Sequence, residues 1–274
     1  MRKPFYLISA IIGIILFSGF ISSDNLGQRD GAQKENCDSQ KHSIYGLPHA
    51  IKGKRLKLLM NEGYLAGYDS ILMQSCWVSY ELTRDELVKN ATRDDKFRPD
   101  QRLTGKRAEL KDYKKCGYDR GHLAPAADMA WSAQAMSESF LLSNMSPQLP
   151  GLNRGEWKRL EEWIRDLAQQ FDTIAIVTGP LFNGAEKKTK DKGIPVPGAF
   201  FKVLLVKDEM KHYQAIGFIL PNLEKTQDFL NYAVSVDSVE HSSGLDFFHC
   251  LPDKIERKVE ATFSKNSWLN MEDQ

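Results

Sequence analysis

The sequence predicts a globular domain that mixes strands with helices, and three observations predict it. Of 274 residues, 42% are apolar and 10% aromatic, enough for a sizeable core in one large domain or two small ones. The stretch Ser75-Cys76-Trp77-Val78-Ser79-Tyr80-Glu81-Leu82 alternates and reads as a strand. Trp157, Leu160, Ile164 and Leu167 recur at the spacing of one helix face, flanked by Trp163. Composition also excludes classes. With 37 basic and 36 acidic residues the net charge is +1, so the chain is neither disordered nor a polybasic nucleic-acid binder. Any polyanion must be held by local charge. Collagen-like and coiled-coil readings fail on composition.

The elements follow in chain order. Met1-Arg2-Lys3 is a basic start, and Phe5 to Ile21 is uncharged and nearly all apolar. That length lies between a signal-peptide core of about 7–15 residues and a spanning helix of about 17–25. Residues 1–23 are therefore a signal peptide or an N-terminal anchor, and in both cases the body of the chain is expected to be exported. Residues 24–41 are polar and read as a linker, with the folded domain beginning near His42 to Pro48. Four cysteines, Cys37, Cys76, Cys116 and Cys250, suggest disulfides in an exported protein, with three pairings if all four bond. None of them has metal-ligand spacing.

Residues 84–115 are crowded with charge, contain Pro99 and Gly105, and read as mostly loop. Arg84 to Arg120 holds 12 basic and 8 acidic residues, a local excess of about +4. Such a run is either a solvated loop or a wall facing phosphates. It leads into Asp119-Arg120-Gly121-His122, where a short strand is expected to end at Tyr118 and Gly121 to permit a tight bend. A neutral imidazole can take a proton from water. An arginine can grip a phosphate oxygen, and an aspartate can orient a ring or hold water at a metal. Four residues alone are weak grounds, because a lone histidine is more often structural.

Phe140 to Gln148 is followed by Leu152-Asn153-Arg154-Gly155-Glu156-Trp157, with a helix expected to run on to about Gln170. Asn153 with Glu156 three residues later has the pattern of a capping box. The side-chain oxygen at such a position can face a metal instead. Glu161 lies at the edge of the apolar stripe, either paired with Arg165 at i+4 or acting as a carboxylate that orients water.

Taken together these residues resemble the DNA/RNA non-specific endonuclease family, the ββα-metal nucleases that include endonuclease G. The resemblance is carried by Asp119-Arg120-Gly121-His122, Leu142-Ser143-Asn144 with Pro147-Gln148, Leu152-Asn153 with Trp157, and Leu160-Glu161. Further on it is carried by Thr178-Gly179-Pro180-Leu181, Pro197 with Phe200-Phe201-Lys202-Val203, and residues 236–248. It spans about residues 45 to 253, in order. It implies an α+β fold with a central, mostly antiparallel sheet flanked by helices and a ββα-metal active-site element. Residues 42–274 would form the nuclease domain.

Residue by residue, the resemblance implies His122 as general base, Asn153 as the single protein ligand of a divalent metal, and Glu161 as the carboxylate that orients water there. Arg120 would sit near the phosphate, and Asp119 and Asn144 belong to the same site. Arg93 and Arg98 both stand near the place of a substrate-binding arginine. The charged run Lys106-Arg107 to Lys115 has no clear counterpart. The implied cofactor is Mg²⁺, with Mn²⁺ able to substitute, and a hard ion of this kind keeps most of its waters. The implied substrates are DNA and RNA, cut with little sequence preference because the contacts go to phosphate and sugar, leaving 5′-phosphate ends. Homodimerisation, as in endonuclease G-like proteins, and a membrane tether through residues 5–21 stay open. So do two other classes: an inactive nucleic-acid-binding protein of the same fold, and a membrane-tethered structural protein that would leave the His-Arg-Asn-Glu set without a role.

Overall fold

The expected strand at 75–82 forms the middle of β4 (Gln74–Thr83), which lies inside a seven-stranded sheet. The structure, a computed structural model, describes residues 42–50, 56–184, 186–190, 193–208 and 210–269. The readings of residues 1–23 and 24–41 therefore fall outside it. The strands are β1 (His49–Ala50), β2 (Lys57–Met60), β3 (Leu65–Asp69), β4, β5 (Asp119–His122), β6 (Met145–Gln148), β7 (Thr173–Leu181), β8 (Ala199–Lys207), β9 (Tyr213–Pro221), β10 (Ala233–Val234) and β11 (Leu245–Asp246). The helices are α1 (Leu110–Tyr113), α2 (Ala133–Ser139), α3 (Pro150–Arg154), α4 (Glu156–Leu167), α5 (Val236–Ser243), α6 (Asp253–Ala261) and α7 (Lys265–Leu269). The main sheet runs β10-β9-β8-β7-β4-β3-β2, and its neighbours pair antiparallel throughout. Two small antiparallel pairs, β1–β11 and β5–β6, stand beside it.

Strand periodicity divides the core in two. Val78, Tyr80 and Leu82 of β4, Ile174 and Ile176 of β7, and Phe200 and Leu204 of β8 pack with Trp157, Leu160, Trp163, Ile164 and Leu167 of α4. Trp77, Ala175, Val177, Phe201, Val203 and Leu205 point the other way, onto Val236 and Val239 of α5 and Val259 of α6. Helices therefore cover both faces of an antiparallel sheet, which is the α+β architecture expected. The region from 84 to 115 is mostly loop, broken by a turn at Asp85–Leu87 and by α1. Among the described residues no helix is long and apolar enough to cross a membrane. Cys250 is disulfide-bonded and Cys116 keeps a free thiol, so the four cysteines do not all pair.

Two local expectations are corrected. The Asp119–His122 motif does not follow a strand but is one: it pairs with Met145–Gln148 in the register Asp119↔Gln148 to His122↔Met145. Gly121 serves close approach rather than a bend, because a Cβ there would overlap the side chain of Gln148. The helix expected to start at Asn153 begins earlier and is broken. Pro150 opens α3, where its missing N–H costs nothing, and Gly155 separates α3 from α4. Asn153 is thus interior to α3 and caps nothing. Glu156, its expected capping partner, accepts from Arg159 and from the backbone N–H of Phe229.

Candidate active site

The site is assembled on the β5–β6 pair and on α3 and α4. Asn144 secures it from behind. Its Oδ1 accepts from the Ala124 N–H at 2.9 Å, and its Nδ2 donates to the Ala124 and Ser139 carbonyls, each at 2.9 Å. The Leu123 N–H donates to the Asn144 carbonyl. This fully buried amide is spent on the backbone just after His122 and fixes where β5 ends. Asn222 fixes the following junction by donating to the Pro147 carbonyl and accepting from the Leu149 N–H. Gly151 packs so tightly on the Glu224 backbone that a Cβ would overlap it.

His122, at the end of β5, is packed between aromatic rings, with Phe140 at 5.1 Å and Phe97 at 5.7 Å between centroids. Its Nε2 is buried and has no protein hydrogen-bond partner. Burial first, then the charges of Arg93 and Arg120, push the imidazole pKa down to about 3. The ring is therefore neutral throughout the physiological range. The Arg120 guanidinium lies 3.9 Å from the Phe97 ring centre, and that of Arg93 lies 5.1 Å from Phe140. Phe97 and Phe140, themselves in edge contact at 5.0 Å, thus place two cations beside one neutral base. Arg98 goes elsewhere: it donates to the Ser137 carbonyl at 2.8 Å and to Ser137 Oγ at 3.1 Å. Its backbone brackets Phe140 and Leu142, which seats Phe97 against Phe140.

Asp119, at the other end of β5, holds α3. It accepts from Asn153 Nδ2 at 2.9 Å and from Arg154 through two bonds of 2.8 and 2.7 Å. Partial burial raises its pKa, but the bonds from Arg154 and Asn153 outweigh that and keep it below the ordinary carboxylate range. With Nδ2 committed to Asp119, no hydrogen bond among the described residues uses Asn153 Oδ1. A neutral carbonyl oxygen in that position suits a hard divalent cation. Among the described residues the one cluster of three carboxylate, histidine or cysteine donors is Asp237, Glu240 and Glu260, on the α5–α6 side of the sheet. The site around His122 is therefore no all-protein cage, and a cation at Asn153 would keep most of its waters.

Glu161 lies in a buried ionic cluster that sequence reasoning missed. Arg165, its expected i+4 partner, donates instead to Asp128 Oδ1 at 2.7 Å, and the Tyr80 hydroxyl donates to Asp128 Oδ2 at 2.9 Å. Lys202 of β8 completes the cluster. Burial pushes Glu161 up to about 8 against the attraction of Lys202. A lysine flanked by apolar residues in Ala199–Lys207 was the available signal. Arg154, Phe97 and Gln148 were also missed as supports of the site.

This geometry, a neutral histidine flanked by two arginines with an asparagine that Asp119 holds within α3, is suited to phosphodiester hydrolysis. The chain belongs to the DNA/RNA non-specific endonuclease family, whose model matches residues 41–254. It is 37% identical over 223 residues to a nuclease of Syncephalastrum racemosum, covering 73% of this chain and 68% of that one. It is 33% identical over 217 residues to the mitochondrial endonuclease G of Homo sapiens, covering 74% and 71%. The crystal structure of an EndoG/EndoGI complex, which concerns EndoG inhibition, superposes with a TM-score of 0.71 at 27% identity and covers 78% of this chain and 92% of that one. The protein is a metal-dependent endonuclease acting on nucleic acid.

Proposed function

We propose that the chain hydrolyses phosphodiester bonds of DNA and RNA with His122 as general base, leaving 5′-phosphate ends, and that the metal is Mg²⁺ held by Asn153 Oδ1. The observation that carries this reading is the neutral His122 imidazole, half-buried against Phe97 and Phe140 beside Arg93 and Arg120. A cation at Asn153 supplies Lewis-acid stabilisation of charge on the scissile phosphate. The chain's own residues do the rest. Arg120 and Arg93 draw the phosphate to the Phe97–Phe140 wall. Its negative charge offsets the two cations that depress His122, so the imidazole grows more basic as substrate binds. The solvent-facing edge of the His122 imidazole then takes a proton from the attacking water. The water oxygen bonds to phosphorus as the P–O3′ bond breaks, and the leaving O3′ takes a proton from solvent water, giving 3′-hydroxyl and 5′-phosphate ends. Glu161, once ionised, orients that water.

Outside the catalytic residues, Lys106, Arg107, Lys111 and Lys188 line a cleft of about 530 Å³ together with Glu109 and Asp112, a net basic excess of two. That gives the unplaced charged run a surface suited to phosphates, with few base contacts to impose sequence preference. Supercoiled plasmid should be nicked in millimolar Mg²⁺, nicking should stop with EDTA, and it should return when Mg²⁺ is restored. Intact plasmid under all three conditions would leave the inactive binding protein as the better reading.

We further propose that the body works outside the cytoplasm, free or tethered through residues 5–21. The basic-then-apolar residues 1–23 motivate this. Fractionation of a C-terminally tagged chain should place it outside the inner compartment. Recovery of all the tag with cytoplasmic markers would reject it.

A further inference from the structure

The cluster behind Glu161 contains one charge that the proposed chemistry does not use. Lys202 has no exposed surface, and its Nζ has no hydrogen-bond partner. It sits on the face of β8 that turns Phe200 and Leu204 toward α4. Its ammonium lies 4.9 Å from the Trp157 ring centre and 6.0 Å from that of Tyr80. Trp157 and Glu161 are one helical turn apart on α4, so the lysine lies beneath the stretch that carries the glutamate. A buried ammonium is costly unless an opposite charge compensates it. Four charged side chains meet here, and two are already matched, because Arg165 and Asp128 pair at 2.7 Å. Lys202 and Glu161 are the two groups left over, burial opposing the charge of each and their mutual attraction favouring it.

We propose that Lys202 is a positioning residue for the reaction, its buried charge beneath the Trp157–Glu161 turn of α4 favouring the carboxylate form of Glu161. This rests on the reading of Glu161 as the carboxylate that orients the attacking water. The groups that face Glu161 are Trp157 and Arg165 from α4, Asp128 from the turn after β5, Tyr80 from β4 and Lys202 from β8. Burial and Asp128 oppose its charged form. Lys202 and Arg165 favour it, Lys202 the more strongly.

The test is a ¹³C titration of the Glu161 side-chain carboxyl in metal-free protein, so that neither bound metal nor turnover enters the readout. Lys202→Met should raise the midpoint by roughly one pH unit or more, a tenfold change in the ionisation equilibrium. Asp128→Asn should lower it, and Lys202→Arg should keep it closer to wild type than Lys202→Met does. The acid limb of kcat/KM should move the same way in each variant. A folded Lys202→Met protein with a wild-type midpoint would overturn the proposal. If Lys202→Met does not fold, an Asp128→Asn midpoint that stays put or rises would overturn it instead. Glu161→Gln separates the two claims: full activity in that variant would remove Glu161 from the reaction and leave the carboxyl titrations standing.

Discussion

His122→Ala should lose about 10²- to 10⁴-fold in kcat, the usual contribution of a positioned general base, while remaining folded. Two effects on stability oppose each other. The ring packs against Phe97 and Phe140, so its removal leaves a cavity. Its Nε2 is buried without a partner, so its removal also relieves an unmet hydrogen-bonding group. The net change should stay within about 2 kcal/mol, and thermal unfolding monitored beside plasmid cleavage checks both. Added imidazole should restore part of the rate, because the vacated space is lined by aromatic rings. A variant that cuts at the wild-type rate would place the base elsewhere. One that fails to fold would make His122 a core residue.

Asn153→Ala should lose metal affinity first. Its Oδ1 is the oxygen left free once Nδ2 is bonded to Asp119, and removing a group that holds or supports a metal typically costs about 10- to 100-fold in affinity or activity. Raising Mg²⁺ should recover much of the rate, a response His122→Ala should not show. The loss of about 1 kcal/mol expected of a removed helix cap should be absent, since Asn153 lies within α3 and Pro150 opens that helix. Arg154 still holds Asp119 through two bonds, so α3 should stay docked. Titrating Mg²⁺ against cleavage rate for both variants checks the distinction. An Asn153→Ala protein with wild-type Mg²⁺ dependence would show that another group carries the ion.

One central strand was legible because residues 75–82 alternate, and α4 because one stripe of Trp, Leu and Ile repeats along it. What the sequence hid depends on distant partners. The four polar residues of β5 show no alternation, and they form a strand only because Met145–Gln148 offers a ladder and Gly121 lets Gln148 approach. The break at Gly155 was masked by a local Asn-to-Glu spacing that imitates a cap. It is set instead by Pro150 and by contacts to Asn222 and Glu224, some seventy residues on. Arg165 looked like the partner of Glu161 because both lie on one helix face, yet Asp128, in a loop, claims it. Arg93 and Arg98 were indistinguishable as letters. The structure brings Arg93 toward His122 and gives Arg98 to Ser137.

The pH dependence follows from these placements. With its pKa near 3 in the free protein, His122 is neutral well below pH 6, so it should not impose an acid limb near neutrality on the free enzyme. Burial raises the Glu161 carboxyl above the ordinary carboxylate range against the attraction of Lys202, and it must lose its proton to act, so kcat/KM should show an acid limb above the usual carboxylate range. The depressed histidine also acts on folding. The unfolded chain binds a proton near 6.5 that the folded chain refuses, so this contribution to stability is complete above that pH and is lost as pH falls toward 3. The most direct measurement is an NMR titration of the His122 imidazole in substrate-free, metal-free protein. The account predicts a ring that stays neutral from pH 8 to below pH 5. A midpoint near the ordinary 6.5 would contradict it, because the ring would then be solvated rather than held neutral between Phe97, Phe140 and two arginines.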